Sequence, residues 1–399
     1  MSVVALRGKV ITPDEILTDG LVCFEGEQLT YVGDAAAASE EQRTGAEEVS
    51  GYVVPGLVDI HCHGGGGKSF PDAESVEDAM VAVLEHRRAG TTSLVASTVT
   101  ASPETLRART ATLRQVCDAG DLVGIHWEGP FISCERCGAQ DPSLIIPPDP
   151  ELTRELCEIA GPFAFTMTIA PEKELVAGDG GVADVLIRHG ALPSFGHTDA
   201  GPADTEEALR DGAARIAAAG DAARSPRATS THTFNGMRPL HHREPGPIPA
   251  MLAAAQRGEL VLELIADGIH LDPSLVKHIY ELVGRETCVF VTDAMAAAGM
   301  ADGTYRLGSM DVTVADGVAR LTGGTSIAGG TSRLMDQVRL MAGSGIELLD
   351  AVYMASTGPA VVLGRSDIGA LVAGSRADVL VVDEDLMPTR VYHGGVVVE

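Results

Sequence analysis

The sequence predicts an α/β protein, a (β/α)8 TIM barrel with a small β domain beside it. Between residues 56 and 340, eight short apolar runs alternate with helical stretches. These runs are almost continuously apolar or small, as strands covered on both faces should be. Both chain ends instead carry short valine-rich strands separated by Gly, Asp and Glu turns. With 399 residues and a 45% apolar share, the chain can bury a core of this size.

The eight apolar runs are assigned as the barrel strands. A doubly wound open sheet is the alternative fold, and it lacks support because no GxGxxG motif follows the first run. The runs are Gly56–His61, Thr92–Thr98, Leu122–Glu128, Phe163–Ala170, Leu192–His197, Ala228–His232, Leu260–Asp267 and Thr287–Asp293.

Helix signals lie between these runs. Ser75 is predicted to cap a helix in which Asp78 completes a capping box and Gly90 ends the element. Ser102 is predicted to cap a second helix, with proline at its first position. We assign residues 56–364 to the barrel, and residues 1–55 together with 365–399 to one small β-sandwich domain.

Charge and cysteine usage limit the classes of partner. Lys and Arg number 29 against 56 Asp and Glu, a net charge of −27 that argues against nucleic-acid or anionic-membrane partners. No signal-peptide pattern or long apolar span is found, and seven scattered cysteines fit a reducing compartment. A soluble cytoplasmic protein is predicted. Cys134 and Cys137 are interpreted as free thiols in a loop, with a zinc or redox site as the alternative.

Titratable residues recur where the predicted strands end. Catalytic groups of barrel enzymes lie at the carboxyl ends of the strands. A single histidine there is commonly structural, but four histidines and three carboxylates at one end predict a functional site. They are His61, His63, Glu128, His197, His232, Asp267 and Asp293.

Imidazole and carboxylate donors in this pattern predict a catalytic metal centre. His61 and His63 lie two apart, so an extended segment points both toward the barrel axis and Cys62 away. Glu128, His197 and His232 come from three other strands and suit Zn²⁺ or Fe²⁺. Three protein ligands leave a position for water, which the metal acidifies toward a pKa of ~7, making hydroxide available.

Asp293 ends the last predicted strand and is the candidate acid/base. A carboxylate facing the coordinated water can accept its proton and later deliver that proton to a leaving group. The alternative interpretation is that Asp293 caps the following helix.

Longer motifs surround these residues. They are Pro-Gly-Leu-Val-Asp-Ile-His61-Cys-His63-Gly, His126-Trp-Glu128-Gly-Pro-Phe, Gly196-His197-Thr-Asp-Ala, Thr231-His232-Thr-Phe-Asn235-Gly-Met-Arg-Pro-Leu-His-His-Arg243, Asp267-Gly-Ile-His270 and Val-Thr-Asp293-Ala-Met. Together they resemble the N-acetylglucosamine-6-phosphate deacetylase family of the amidohydrolase superfamily. The resemblance covers essentially the whole chain. HxH alone marks only the superfamily, whereas the Glu-Gly-Pro, Asn-x-Met-x-Pro-Leu-His-His-Arg and Asp-Ala-Met stretches mark the deacetylase branch.

The resemblance implies roles for individual residues. Glu128, His197 and His232 match the family's primary metal ligands, and Asp293 matches its acid/base. The sugar phosphate is expected to contact the residues that match Asn235, the Gly236 backbone, Arg243 and His270, part of this set coming from a homodimer partner. For Arg243, whose forked donors suit phosphate, the alternative is an exposed, solvated side chain. Ile327, Ala328 and Gly329 resemble a further substrate-binding segment.

Two departures from the family pattern bear on the chemistry. Some members lack the HxH pair and use one metal, so His61 and His63 leave two alternatives: a second ion, or a vestigial hydrogen-bonded pair. Many members carry a substrate-contacting histidine where this chain has Gln140. A neutral carboxamide can donate N–H to a developing oxyanion, with smaller electrostatic help. The stretch around Cys134 and Cys137 is interpreted as a mobile lid loop.

The expected reaction is hydrolysis of the acetamide of N-acetyl-D-glucosamine 6-phosphate to D-glucosamine 6-phosphate and acetate, a step of amino sugar catabolism and cell-wall recycling. The alternatives are an epimeric N-acetylhexosamine 6-phosphate, another amide such as a cyclic amide, or a metal-free scaffold of the same fold. A metal-bridging lysine would favour the cyclic amide, but none ends the fourth run, which closes on Thr168, Ile169 and Ala170. A scaffold should lack ligands, and this chain retains them.

Overall fold

A computed structural model describes residues 3–399. The strands, numbered along the chain, are β1 (Val4–Ile11), β2 (Ile16–Glu25), β3 (Gln28–Asp34), β4 (Glu47–Pro55), β5 (Leu57–Cys62), β6 (Gly64–Gly65), β7 (Lys68–Ser69), β8 (Thr91–Thr98), β9 (Gly124–Glu128), β10 (Ala164–Ile169), β11 (Leu192–Phe195), β12 (Ala228–Ser230), β13 (Leu260–Leu264), β14 (Cys288–Phe290), β15 (Gly303–Leu307), β16 (Met310–Ala315), β17 (Val318–Leu321), β18 (Val379–Val382), β19 (Pro388–His393) and β20 (Val396–Val397).

The α-helices follow the same numbering. They are α1 (Glu40–Arg43), α2 (Val76–Arg88), α3 (Pro103–Asp118), α4 (Pro150–Ala160), α5 (Val182–Arg188), α6 (Pro202–Ala219), α7 (Ile248–Gln256), α8 (Pro273–Val283), α9 (Leu334–Gly343), α10 (Leu348–Met354) and α11 (Thr357–Val362).

The predicted barrel is confirmed. Eight parallel strands are hydrogen-bonded in the order β14-β13-β12-β11-β10-β9-β8-β5. A parallel bridge between Cys62 and Ala294 nearly closes the sheet across the gap from β5 to β14. All eight strands are buried along their whole length, which explains why their sequences are apolar rather than alternating.

Two predicted helix starts are also confirmed. The Ser75 hydroxyl accepts from Asp78 N at the start of α2, and Ser102 does the same for Thr105 N at the start of α3. The predicted capping box differs in one respect. The Asp78 carboxylate pairs with Lys68 Nζ at 2.6 Å and is not bonded back to the cap, because β7 brings that ammonium close.

The two chain ends form one mixed sheet of seven strands in the order β20-β19-β18-β4-β1-β2-β3. Only β1 and β4 pair in parallel. The strands run in one continuous hydrogen-bonded order, whereas the sequence predicted a sandwich. Leu6, Val22, Phe24, Val53 and Val379 form its separate buried core.

A three-stranded antiparallel sheet, β15-β16-β17, is inserted after the last barrel strand. Its buried residues Leu307 and Val312 pack on Val99 and Met295 beside the barrel mouth. This insertion was not expected from the sequence, and it brings Leu307 to the wall of a cavity at the barrel mouth. Among residues 3–399, no helix combines the length and apolarity that crossing a bilayer requires.

Candidate metal centre and active site

Irregular backbone at the strand ends presents the predicted site residues. Glu128 closes β9, but His197 and His232 lie two residues beyond the ends of β11 and β12, and Asp293 lies three beyond β14. These three non-glycine residues have φ of 46°, 27° and 47°. Such values are strained for L residues and persist where the surrounding structure imposes them, commonly at functional sites.

Glu128, His197 and His232 converge on one point. Glu128 Oε1 lies 2.6 Å from His197 Nε2 and 2.9 Å from His232 Nε2. His197 Nδ1 donates to the Arg136 carbonyl at 2.7 Å, so a neutral ring keeps the lone pair on Nε2. A carboxylate oxygen and an imidazole lone pair, both acceptors, therefore face each other, as they do around a shared cation.

Close glycines fit around the ring of His197. A Cβ on Gly236 would lie 2.7 Å from His197 Nδ1, and a Cβ on Gly138 would lie 3.1 Å from His197 Cε1. Both glycines have φ near +60°, so a larger residue would be strained as well as crowded. The His197 ring therefore lies between Gly138 and Gly236, and a larger residue at either position would displace it or the backbone.

A second set of ligand atoms shares Glu128. His63 Nε2 lies 2.8 Å from Glu128 Oε2 and 3.2 Å from Asp293 Oδ1. His61 Nε2 lies 3.4 Å from Asp293 Oδ1 and 3.2 Å from His63 Nε2. The ligand atoms of His61, His63, Glu128 and Asp293 all lie within 4.8 Å of one another.

The donor chemistry of both sets fits a divalent metal. Neutral imidazole nitrogens and carboxylate oxygens are the ligands that Zn²⁺ and Fe²⁺ take in proteins. His63 Nδ1 and His232 Nδ1 are buried and lack hydrogen-bond partners within residues 3–399. Two ligand sets that share one carboxylate could hold two neighbouring cations.

Asp293 is positioned for acid/base chemistry. Burial alone raises the pKa of Asp293, but the hydrogen bond from His63 and the charges of His61 and His63 lower it to about 2. The carboxyl group is therefore ionised at neutral pH. Its side chain is 12% exposed, the exposed part reaching the cavity next to the ligand atoms.

A cavity of about 260 Å³ opens over the two ligand sets. Gln140 lies on its wall with Oε1 accepting from Thr100 N at 2.7 Å, which leaves the amide NH₂ as its free donor. The lining brings together most of the predicted residues with several that were not predicted, Gly138, Ala139, Leu307 and Ser326. The predicted residues in the lining are His63, Glu128, Gln140, His197, His232, Asn235, Gly236, His270, Asp293, Ile327 and Gly329.

Four predicted residues lie outside the cavity wall. His61 is buried behind His63, and Ala328 is buried under the inserted sheet. Asp267 lies three residues past β13 and accepts from His270 Nδ1 at 2.8 Å, and it is not part of the cavity wall. Arg243 is exposed in the loop before α7, with Nη1 2.8 Å from His242 Nε2.

Asp267 instead controls the charge of His270. Burial lowers the pKa of His270, but the hydrogen bond and charge of Asp267 outweigh that effect and raise it above its ordinary value. The bond to Asp267 therefore favours the protonated form of a buried imidazole on the cavity wall, and that form is suited to an anionic group.

The loop with the two close cysteines borders the cavity. Cys134 is exposed, Cys137 is half-buried, and both thiols are free. The Arg136 carbonyl binds His197, and its guanidinium pairs with Asp199 at 2.7 Å. This loop is therefore bonded to a ligand histidine and to the residue two positions after it.

Comparisons with known proteins agree with this geometry. The model of the amidohydrolase family matches residues 52–398. N-acetylglucosamine-6-phosphate deacetylase of Bacillus subtilis (strain 168) is 32% identical, over 94% of this chain and 92% of the relative. N-acetylgalactosamine-6-phosphate deacetylase of Escherichia coli O157:H7 is also 32% identical, over 93% and 94%.

A solved structure gives the same result. A mutant of N-acetyl-D-glucosamine-6-phosphate deacetylase from Mycobacterium smegmatis, in complex with N-acetyl-D-glucosamine-6-phosphate, is 37% identical and superposes with a TM-score of 0.89 over 100% of both chains. The barrel and its ligand clusters thus define a metal-dependent hydrolase. This chain belongs to the amidohydrolase family, and it resembles the N-acetylhexosamine-6-phosphate deacetylases of that family along its full length.

Proposed function

We propose that the chain hydrolyses the acetamide of N-acetyl-D-glucosamine 6-phosphate to D-glucosamine 6-phosphate and acetate. One observation carries this proposal: Glu128, His197, His232 and Asp293 meet at a single cavity whose wall also holds Gln140, Asn235 and His270. Candidate metal ligands, a proton acceptor and hydrogen-bond donors are groups that the hydrolysis of an acetamide on a sugar phosphate can use. The similarity to deacetylases of B. subtilis and M. smegmatis supports the same substrate.

Glu128, His197 and His232 would hold the principal divalent metal, either Zn²⁺ or Fe²⁺. His61 and His63, with Glu128 and Asp293, would hold a second. When bound, a metal here would polarise the acetamide carbonyl and lower the pKa of coordinated water toward ~7.

Asp293 moves the protons. Its ionised carboxylate accepts a proton from the attacking water, and the protonated carboxyl then delivers it to the departing amine nitrogen. Gln140 contributes a neutral donor: with its oxygen occupied by Thr100 N, its NH₂ is left to bond the carbonyl oxygen as negative charge develops there.

Other residues of the cavity wall would bind the phosphate. Asn235, the Gly236 N–H and His270 lie on its wall and provide amide, backbone and imidazole donors. Arg243 is exposed and does not line the cavity of its own subunit, so we propose that it enters the cavity of a homodimer partner. The remote phosphate contacts then position the acetamide against Asp293. The segment from Ile327 to Gly329 would contact the sugar.

A second candidate substrate is the epimer N-acetyl-D-galactosamine 6-phosphate, favoured by the E. coli relative of equal identity. Acetate release from a panel of N-acetylated hexosamines, each with and without the 6-phosphate, tests both proposals. We expect kcat/KM to be highest for the glucosamine phosphate and far lower for the unphosphorylated sugar. A higher value for the galacto epimer would replace the substrate assignment, and equal values with and without phosphate would remove the phosphate site. The cytoplasmic location predicted from the cysteine pattern stays a proposal.

A further inference from the structure

Glu263 is a buried carboxylate that the reaction described above does not use. It is the penultimate residue of β13, between apolar neighbours in Leu260–Leu264, and is 1% exposed. It does not line the cavity, so it does not contact a substrate there. A carboxylate in the interior of a barrel is costly unless other groups bond to it. The hydrogen-bond partners of Glu263 therefore indicate its role.

Both hydrogen bonds of its side chain reach histidines of the two ligand sets. Glu263 Oε2 lies 3.1 Å from His61 Nδ1 and 3.2 Å from His232 N. The Glu263 carbonyl also accepts from Thr233 N at 2.8 Å, one residue after the ligand. One residue therefore holds the ring of a histidine from the second ligand set and the backbone of a histidine from the first.

Each bond has a consequence for metal binding. Because Glu263 accepts from His61 Nδ1, the proton of a neutral ring stays on Nδ1 and the Nε2 lone pair is directed at His63 and Asp293. Because it also accepts from His232 N, it stabilises a backbone whose φ is 27°, the conformation that turns this imidazole toward Glu128.

We propose that Glu263 is a positioning residue that sets the tautomer of His61 and the backbone of His232, and so holds the two ligand sets in place for metal. This inference rests on the proposed function only in assuming that the two sets bind a divalent metal. The competing interpretation is a carboxylate that stabilises the barrel core without influencing metal affinity.

Metal affinity and apoprotein stability separate these interpretations. Glu263→Gln keeps an acceptor oxygen of similar shape and loses the charge, whereas Glu263→Met removes the acceptor. Asp378→Asn is the matched control, because Asp378 is also a buried carboxylate, bonded to Arg376 at the terminal sheet. The metal-free full-length proteins are titrated with Co²⁺ alone against a competing chelator, and their thermal unfolding is recorded without metal.

We expect Glu263→Met to bind Co²⁺ about 10–100-fold more weakly than the unaltered protein, since outer partners of ligating histidines have effects of this size. Glu263→Gln should show a smaller but clear loss, and Asp378→Asn should bind as the unaltered protein does. If Glu263→Met fails to fold, Glu263→Gln decides the question. Unchanged Co²⁺ affinity in the folded Glu263 variants, whatever their Tm, would overturn the role of Glu263 alone. An unaltered protein that binds no Co²⁺ would overturn the proposed function as well.

Discussion

Replacing Asp293 with asparagine should abolish most activity while leaving the principal ligands intact. The amide has the shape of the carboxylate but cannot accept a proton from water. Asp293 is not one of the three residues around Glu128 Oε1, so Glu128, His197 and His232 keep their arrangement. A positioned general base contributes about 10²–10⁴-fold, equivalent to about 3–5 kcal/mol in the barrier. Because Asp293 serves both proton transfers, we expect kcat to fall by the upper part of this range.

Acetate release measured beside elemental metal analysis tests this expectation. Asp385→Asn, at an exposed aspartate between β18 and β19, is the control for the same chemical change and should keep full activity. Activity within a few-fold of the unaltered protein in Asp293→Asn would refute the proton-transfer role. Loss of the principal metal in that variant would show that Asp293 is a ligand first.

Three further predictions concern the substrate-binding groups. The Asp293→Asn and Arg243→Ala variants should each be inactive alone, but mixed dimers of the two should regain activity. One cavity of the mixed dimer then combines an intact Asp293 with an intact Arg243 from the other subunit. No recovery after subunit exchange would place Arg243 in the cavity of its own subunit or outside the site. Gln140→Leu should lower kcat by about 10²-fold with a smaller change in KM, because one hydrogen-bond donor to the developing oxyanion is lost. A rise confined to KM would instead show that Gln140 contacts the substrate in the ground state. Because Asp267 raises the pKa of His270, the imidazolium persists below that raised pKa and is lost as pH rises through it. The KM for the phosphorylated sugar should therefore rise with pH on the alkaline side. The same pH profile in His270→Gln would assign the titration to another group.

The barrel was predictable because burial on both faces leaves a plain trace. Each of its strands is buried throughout and consists mostly of apolar or small residues, and the helices between them carry local caps such as Ser75 and Ser102. The inserted sheet was missed although its signals are present: β16 alternates between exposed and buried residues, and Asp316-Gly317 is a hairpin turn sequence. Continuous apolar runs identify strands that are buried on both faces, and the partly exposed strands of the insertion have no such runs.

The clustered histidines and carboxylates were predictable from their position near the strand ends, whereas Glu263 beside them was not. The apolar runs extend as far as His197, His232 and Asp293, but the strands end two or three residues earlier. These three residues themselves have positive φ and lie in irregular backbone. The seventh predicted run likewise extends past the end of its strand, to Asp267. The carboxylate of that run that bonds to the ligand sets is Glu263, whereas Asp267 bonds to His270. A single charged residue inside Leu-Val-Leu-Glu-Leu was the available signal, since such a residue is buried only when it is bonded.

A metal titration of the stripped protein, followed by acetate release from N-acetyl-D-glucosamine 6-phosphate, tests the central claim most directly. The account predicts no turnover without metal and a rise that saturates at a fixed number of ions per chain, with no such rise when Glu128 is replaced by glutamine. Turnover that is independent of added metal, or equal in the Glu128→Gln variant, would contradict it.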